Sequence, residues 1–510
     1  MRGRLSIKQI GDRAEWHEIP VPNKARWPAT LAPLRKPWKA VRGAATGLLG
    51  QDVIDPALHR LKVETRARAE RAQSALRRLV HIPAFDGFDE VVARLSPPLL
   101  SRSRIREIEK VEHLPLPTEP TARVTSSGKL RVAMVMPWVQ TGGVDRAAID
   151  MAAGLPKDEF ELSLLTTYPS RHEWEWRIAP QVADLIHLGH FSHVNEQVPY
   201  VARFVRDRGI DVLWTVNSWV GLESMMAVKR TLPGVRTADF QHTDFQAPGG
   251  DFARQSCKRY DRFIDLRMVS TEYLRKRYAH YGVAPGKVRV IRAGCDDERD
   301  FNPDRVRRGY LQEKLGLPLG TLVVGSIARL VEDKNPVFVA RVYAHLARQW
   351  QDLSRPLHFV FIGEGPLQGA IVSEALREGI DGRHLHFLPA NTDVASALRD
   401  FSLVLMASRI EGLPLVYFEA MSLGVPVVST DIEGIPELVN AEVGACVANA
   451  PDDTERLDLL REAALPILEN HALRADMGER ARKRIVEGGF SAAQTRRDYL
   501  RAFGDLRGVK

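Results

Sequence analysis

Cysteine is scarce in this chain: three residues in 510, Cys257, Cys295 and Cys446, odd in number and without CxxC spacing. That excludes a disulfide framework and a structural zinc site, and points to ordinary thiols in a reducing compartment. Long apolar runs are missing too. None approaches the ~20 residues that a membrane-spanning helix needs, and Met1-Arg2-Gly3-Arg4-Leu5 leads into no apolar signal region. The expected address is cytoplasmic, with peripheral contact at the inner face of the cell membrane left open. Nor is there a shortage of apolar residues: 44% hydrophobic and 27% charged are ordinary shares for a globular protein, which excludes disorder or a fibrous architecture for the bulk. At ~100–200 residues per domain, the length allows two or three domains.

A charge of one sign is absent from most of the chain. Residues 131–510 carry 48 Lys and Arg against 50 Asp and Glu, whereas residues 1–130 carry 24 against 14. The basic surplus of the first quarter attracts anionic surfaces over about a Debye length. Within it, Pro20, Pro22, Pro28, Pro33 and Pro37 forbid a long helix in the first forty residues. Between Pro56 and Ile82, Leu58, Leu61, Thr65, Ala69, Ala72, Leu76 and Leu79, apolar but for the threonine, recur at three and four, predicting an amphipathic helix. Leu114 to Pro120 reads as an extended linker. Residues 1–128 are thus a basic accessory region, helical and irregular by turns. Self-association or packing is its preferred use, an anionic membrane surface the second, and nucleic acid the least favoured.

From Leu130 onward, short apolar runs alternate with helix-length segments. Strands are predicted at Val132–Met136, Leu162–Thr166, Val212–Val216, Arg267–Val269, Val288–Ile291, Leu322–Ile327, His358–Ile362, Leu403–Ala407 and Val425–Ser429. This βαβα rhythm implies α/β architecture: two Rossmann-like, doubly wound domains with parallel sheets. The first spans 129–300 and the second 301–488, with the join near Asp296–Pro303. Residues 489–510 form a closing helix that could cross back to the first domain.

Three segments carry chemistry. In Phe401–Val439, a strand ends near Ala407, a loop runs through Glu411-Gly412, and Pro414 starts an almost wholly apolar helix closed by Gly424. Glu419 lies inside that helix, where an unpaired carboxylate is expensive, so it should have a partner. Glu411 faces the same crevice at the carboxyl edge of the sheet, where ligands of such folds bind. Second, the strand Leu322–Ile327 leads into Arg329 and Lys334, two cations five residues apart that can neutralise a diphosphate. A loop pair bridged to Glu332 and Asp333 is the plainer alternative. Third, Val132–Met136 leads to Gly142-Gly143 before a helix reaching Leu155, a turn that lets backbone amides approach an anion. Gly363, in Gly363-Glu364-Gly365, exits another strand; a plain turn explains it equally well. His242 stands in Phe240-Gln241-His242-Thr243, and Trp174, Trp176 and Trp219 suit core packing better than sugar stacking.

Glu411–Glu419 has the E-x7-E spacing of retaining glycosyltransferases with the two-Rossmann (GT-B) fold, and EGLPLVYFEAMSLGVPVV resembles the motif of family 4 of the nucleotide-sugar-dependent enzymes. The resemblance covers about residues 130–505. It implies that Glu411 contacts the donor sugar, that Glu419 holds the nucleotide ribose, and that Arg329 and Lys334 bind the diphosphate. It further places Gly142, Gly143, Gly363, Gly412 and Leu413 against the donor and His242 in the cleft. Two positions depart from the family pattern: Ala293-Gly294-Cys295-Asp296 before the second domain, and Glu433-Gly434 where a glycine pair is frequent. The implied activity is retaining transfer of a hexosyl group from a nucleoside diphosphate sugar to a hydroxyl of a glycan or lipid-linked acceptor in cell-envelope polysaccharide or glycolipid synthesis, with no cofactor and no metal. A phosphorylase-type enzyme and a glycan-binding or scaffold protein on the same fold are the alternatives.

Overall fold

In the computed structural model the described residues are 128–508, apart from 141, 191, 245, 248, 249, 319 and 353. The expectations for residues 1–127, namely the basic accessory region, its amphipathic helix and its proline linker, lie outside the described residues.

The strands run in chain order β1 (Leu130–Met136), β2 (Phe160–Thr166), β3 (Asp184–His187), β4 (Val212–Val216), β5 (Arg236–Gln241), β6 (Gln246–Ala247), β7 (Gly250–Asp251), β8 (Leu266–Val269) and β9 (Val288–Val290). The short β6 and β7 pair antiparallel with each other. The other seven form one parallel sheet ordered β3-β2-β1-β4-β5-β8-β9. A second parallel sheet holds β10 (Leu322–Ile327), β11 (Leu357–Ile362), β12 (Leu385–Leu388), β13 (Leu403–Met406), β14 (Val427–Thr430) and β15 (Gly444–Val447), ordered β12-β11-β10-β13-β14-β15. Strand order reverses beside β1 in the first sheet and beside β10 in the second, the places where doubly wound folds open a crevice at their carboxyl edge. The architecture is the expected pair of Rossmann-like lobes.

The helices that bear on the site are α1 (Gly143–Ala153), α2 (Glu272–His280), α3 (Pro336–Gln349), α4 (Leu415–Ser422), α5 (Ile435–Leu438), α6 (His471–Glu487) and α7 (Ala492–Gly508). Strands buried on both faces read as continuous apolar runs, which is why β1, β4, β10 and β11 are plain in the sequence. Strand β5 is different. Its Asp239 is fully buried, and the equally buried Arg267 of β8 donates to it at 2.9 Å and to Asp261 at 2.8 Å. A charge pair made across strands lets a polar sequence occupy the middle of a sheet. Pro414, expected as the first residue of its helix, instead caps α4 from outside with an extended backbone (ψ 126°). The helix closes after eight residues, with Gly424 left-handed at φ +75°.

Two crossings join the lobes. The chain leaves the first lobe after β9 and comes back at Ser491, and the outgoing and returning segments pair at Cys295 and Ser491, with Ala492 N–H donating to the Cys295 carbonyl at 2.9 Å. Helix α7 then packs on the first lobe. Its Tyr499, Ala502, Phe503 and Leu506 share a core with β1 and β4, Phe503 standing edge-on to Trp214 at 5.5 Å and to Phe160 at 5.8 Å. From the second lobe, the Glu437 carboxylate of α5 accepts the Glu272 and Tyr273 N–H groups at 2.9 and 2.7 Å, capping α2 of the first. Phe503→Ala should destabilise the protein by about 3–5 kcal/mol through cavity formation. Denaturant unfolding followed by tryptophan fluorescence measures this, and a loss below about 1 kcal/mol would mean that α7 is an appendage rather than a part of the first core.

Candidate functional site

Side chains from the carboxyl edges of both sheets meet between the lobes. The loop after β10 brings Lys334 to Glu411 on the loop after β13: Nζ donates to Oε1 at 2.5 Å, and the Ser408 hydroxyl donates to the same oxygen at 3.0 Å. Both loops are stapled together further out, where Arg409 N–H donates to the Asp333 carbonyl at 2.8 Å and the Arg409 side chain pairs with Glu332. Asn335 adopts a left-handed conformation (φ +51°) that turns the chain into α3. Lys334 is thus directed at Glu411, while Glu332 is taken by another cation.

Glu419 lies on α4, almost wholly buried, and its partner comes from the opposite lobe. Arg146, on the first turn of α1, donates from Nη1 to Glu419 Oε1 at 2.8 Å. Asp150 at 3.3 Å and the ring of Phe301, 5.7 Å below the guanidinium, hold Arg146 in place. Burial pushes the Glu419 carboxyl up from its ordinary value, and Arg146 pulls it back down. A cation near a helix N-terminus opposes the helix dipole, so its position in α1 is explained by the contact with Glu419. Sequence reasoning required a partner for Glu419 and missed this one; the signal available was an arginine three residues after the glycine pair.

That glycine pair lies at the same boundary. A Cβ on Gly143 would meet the Leu415 side chain of the second lobe at 3.8 Å. Asp145, just beyond, is buried, which raises its carboxyl to about 7 against the lowering effect of the Gln140 backbone, the Trp138 side chain and Arg329 of the second lobe. The Arg329 charge therefore reaches Asp145, just beyond the β1 exit. Gly363 (φ +139°) packs on the Arg329 loop: a Cβ there would lie 2.0 Å from the Ala328 carbonyl oxygen, so only glycine fits. Gly412 presses on the first lobe in the same way: a Cβ there would lie 1.9 Å from the His242 carbonyl oxygen. Leu413 is half-buried against the second core.

His242 ends β5. Its ring packs edge-on against Phe240 at 4.1 Å, and its Nε2 is buried with no hydrogen-bond partner in the described structure. Burial lowers the imidazole to about 3, so it is neutral at physiological pH. Next to it, the Thr243 hydroxyl donates to Glu433 Oε2 across the lobes at 2.7 Å. Of the three tryptophans, Trp219 packs on Phe252 at 4.3 Å, Trp174 is half-buried against the first core, and Trp176 is exposed, with Arg177 at 5.7 Å. The arrangement places two carboxylates, each held by its own cation, and a third cation along one boundary. It can hold an anion at the loop cations and accept hydroxyl protons at the carboxylates.

Residues 141–299 match the family profile described as Glycosyltransferase Family 4, and residues 309–484 match Glycosyl transferases group 1, between them about two thirds of the chain. With two parallel Rossmann-like lobes, these matches assign the chain to the GT-B glycosyltransferases of family 4 type. It is 26% identical over 295 residues to a D-inositol 3-phosphate glycosyltransferase of Saccharomonospora viridis, an alignment covering 56% of this chain and 63% of that protein. Against the UDP-Gal:alpha-D-GlcNAc-diphosphoundecaprenol alpha-1,3-galactosyltransferase of Escherichia coli it is 28% identical over 207 residues, covering 40% of this chain and 51% of the relative. Each alignment spans less than two thirds of the relative. The fold matches that of Anabaena HepE in complex with UDP, with a TM-score of 0.58 and 17% identity over 74% of this chain and all of that one.

The buried histidine gives a pH test. The unfolded chain protonates His242 near 6.5 and the folded chain only near 3, so the unfolded state binds the extra proton between those values and stability falls as pH drops through the window. Relative to pH 7, this group should cost about 2 kcal/mol at pH 5. Thermal melts of the wild type and His242→Gln between pH 7 and 5 should diverge by that amount, the wild type losing more; parallel curves would place the imidazole in contact with water.

Proposed function

We propose that the protein is a retaining glycosyltransferase that moves a hexosyl group from a nucleoside diphosphate sugar to a hydroxyl of a glycan or lipid-linked acceptor, in polysaccharide or glycolipid synthesis. The observation that carries this reading is the Lys334–Glu411 pair at 2.5 Å, a diphosphate-type cation locked to a carboxylate at the carboxyl edge of the donor lobe. The E. coli relative, whose name includes UDP-Gal and a diphosphoundecaprenol-linked sugar, supports this class of donor and acceptor.

In the reaction, Arg329 and Lys334 hold the two phosphates and Glu419 takes the ribose hydroxyls, while Glu411, Gly412 and Leu413 line the sugar. Amides at Gly142 and Gly143, with Gly363 beside the Arg329 loop, complete the donor site, and His242 offers its neutral ring from the acceptor lobe. The bond from the anomeric carbon to the diphosphate oxygen breaks, and the acceptor oxygen bonds to that carbon on the same face. The acceptor's proton passes to the departing phosphate oxygen, so the configuration is kept. Fixed cations around the leaving group stabilise the charge that develops there, without requiring a metal. Lobe contact excludes water that would otherwise hydrolyse the donor. This chemistry takes place in the cytoplasm. Self-association or packing is the preferred use of the basic residues 1–128, and contact of their surplus charge with an anionic membrane face, where a lipid-linked acceptor resides, is the second.

Thermal-shift screening of the full chain with UDP, GDP, ADP and CMP, then with their sugars, tests the reading. One diphosphate and its sugar should stabilise the fold by about 2.7 kcal/mol at a hundredfold excess over Kd. Lys334→Met and Glu411→Gln should then cut transfer at least about a hundredfold. Transfer that persists in both variants, or release of an inverted product by NMR, would overturn it.

A further inference from the structure

Glu433 stands out among the acidic groups along the lobe boundary. Glu411 is paired with Lys334, Glu419 with Arg146, and Asp244 with Arg277 at 2.8 Å. Glu433 is half-buried on the turn between β14 and α5, and among the described residues no Lys, Arg or His comes within ion-pair distance of it. Its carboxyl accepts from the Thr243 hydroxyl at 2.7 Å and from the Asp244 backbone N–H, both of the opposite lobe. Two such bonds leave a carboxylate with acceptor capacity to spare. The turn lies against the Glu411 loop: a Cβ on Gly434 would come within 3.3 Å of the Gly412 carbonyl oxygen, and the Glu411 charge acts on Glu433 directly. The backbone at Glu433 is left-handed, φ +44°, which glycine adopts freely and glutamate does not. A carboxyl is thus kept, against backbone preference and without a counter-cation, next to the carboxylate assigned to the donor sugar.

We propose that Glu433 is a specificity-determining residue that accepts a hydrogen bond from a hydroxyl of the transferred hexose and excludes donors whose sugar carries a carboxylate at that edge. This rests on the functional reading above. A neutral sugar brings the hydroxyl donors that the spare lone pairs can take. A uronic acid would instead crowd a second carboxylate against the Glu433 carboxyl, which burial already raises to about 7, so that its binding meets like-charge repulsion or forces Glu433 to take up a proton. Thr243 fixes the carboxyl from the first lobe, so the residue is in position only while the lobes are together.

The test uses the full chain as wild type, Glu433→Gly and Glu433→Gln, with titration calorimetry of UDP, GDP, UDP-glucose, UDP-galactose, GDP-mannose and UDP-glucuronic acid, and a melt of each protein. Glycine relieves the backbone, so Glu433→Gly should melt no lower than the wild type. Both variants should bind the free diphosphate as the wild type does, within about twofold, and the neutral sugar nucleotide about tenfold more weakly. UDP-glucuronic acid should gain affinity in Glu433→Gln. If diphosphate and sugar nucleotide bind all three proteins alike, the assignment falls while the functional reading stands. A Glu433→Gly protein that melts several degrees lower with unchanged ligand affinities makes the carboxyl structural and also overturns it. Wild-type protein that binds none of the nucleotides overturns both.

Discussion

A carboxylate removed from water needs a counter-charge, and Glu419 finds its own in the other lobe. Arg146 reaches it from the first turn of α1 at 2.8 Å, across the boundary between two separately wound sheets. Breaking one side of such a pair leaves a buried charge uncompensated, which costs far more than an exposed pair contributes. The orientation of the lobes is therefore tied to the ionisation of one side chain. The Glu437 cap on α2, the Thr243–Glu433 bond and the packing of Gly412 on the His242 carbonyl all lie along the same boundary.

This constraint also orders the chemistry. Arg146 takes one acceptor site on Oε1 of Glu419, which leaves Oε2 and the remaining lone pair of Oε1 for the ribose hydroxyls in the proposed donor complex. Lys334 and the Ser408 hydroxyl hold Glu411 through Oε1 in the same way. Each carboxylate is held in one geometry by its own cation before any ligand arrives, and pre-set geometry is what lets a site act on a transition state without reorganising.

The fold was legible because strands buried on both faces must be apolar runs, and β1, β4 and β10 are. Six strands escaped, two of them the two-residue β6 and β7. β3 (Asp-Leu-Ile-His) and β12 (Leu-His-Phe-Leu) are short edge strands interrupted by polar residues, and β15 (Gly-Ala-Cys-Val) is an edge strand that lacks β-branched residues at three of its four positions. β5 is central yet carries Thr237 and Asp239, tolerated only because Arg267 and Asp265 meet them in three dimensions. At the site, local spacing marked Glu411, Glu419, Arg329 and Lys334 and the glycine turns. The cost of burying Glu419 required a partner but could not name Arg146, because 273 residues separate the two in the chain. Glu433 was visible as a departure from a glycine pair; its lack of a cation and its contact with Thr243 depend on how the lobes meet.

A double-mutant cycle on Arg146→Met and Glu419→Gln, read by chemical denaturation without ligand, addresses the central claim most directly. If the ion pair governs how the lobes meet, each single change should be costly and the double scarcely worse than either, giving a coupling of at least about 2 kcal/mol. Losses that add to within about 0.5 kcal/mol would mean that the two side chains act independently and that the lobes are held together by something else.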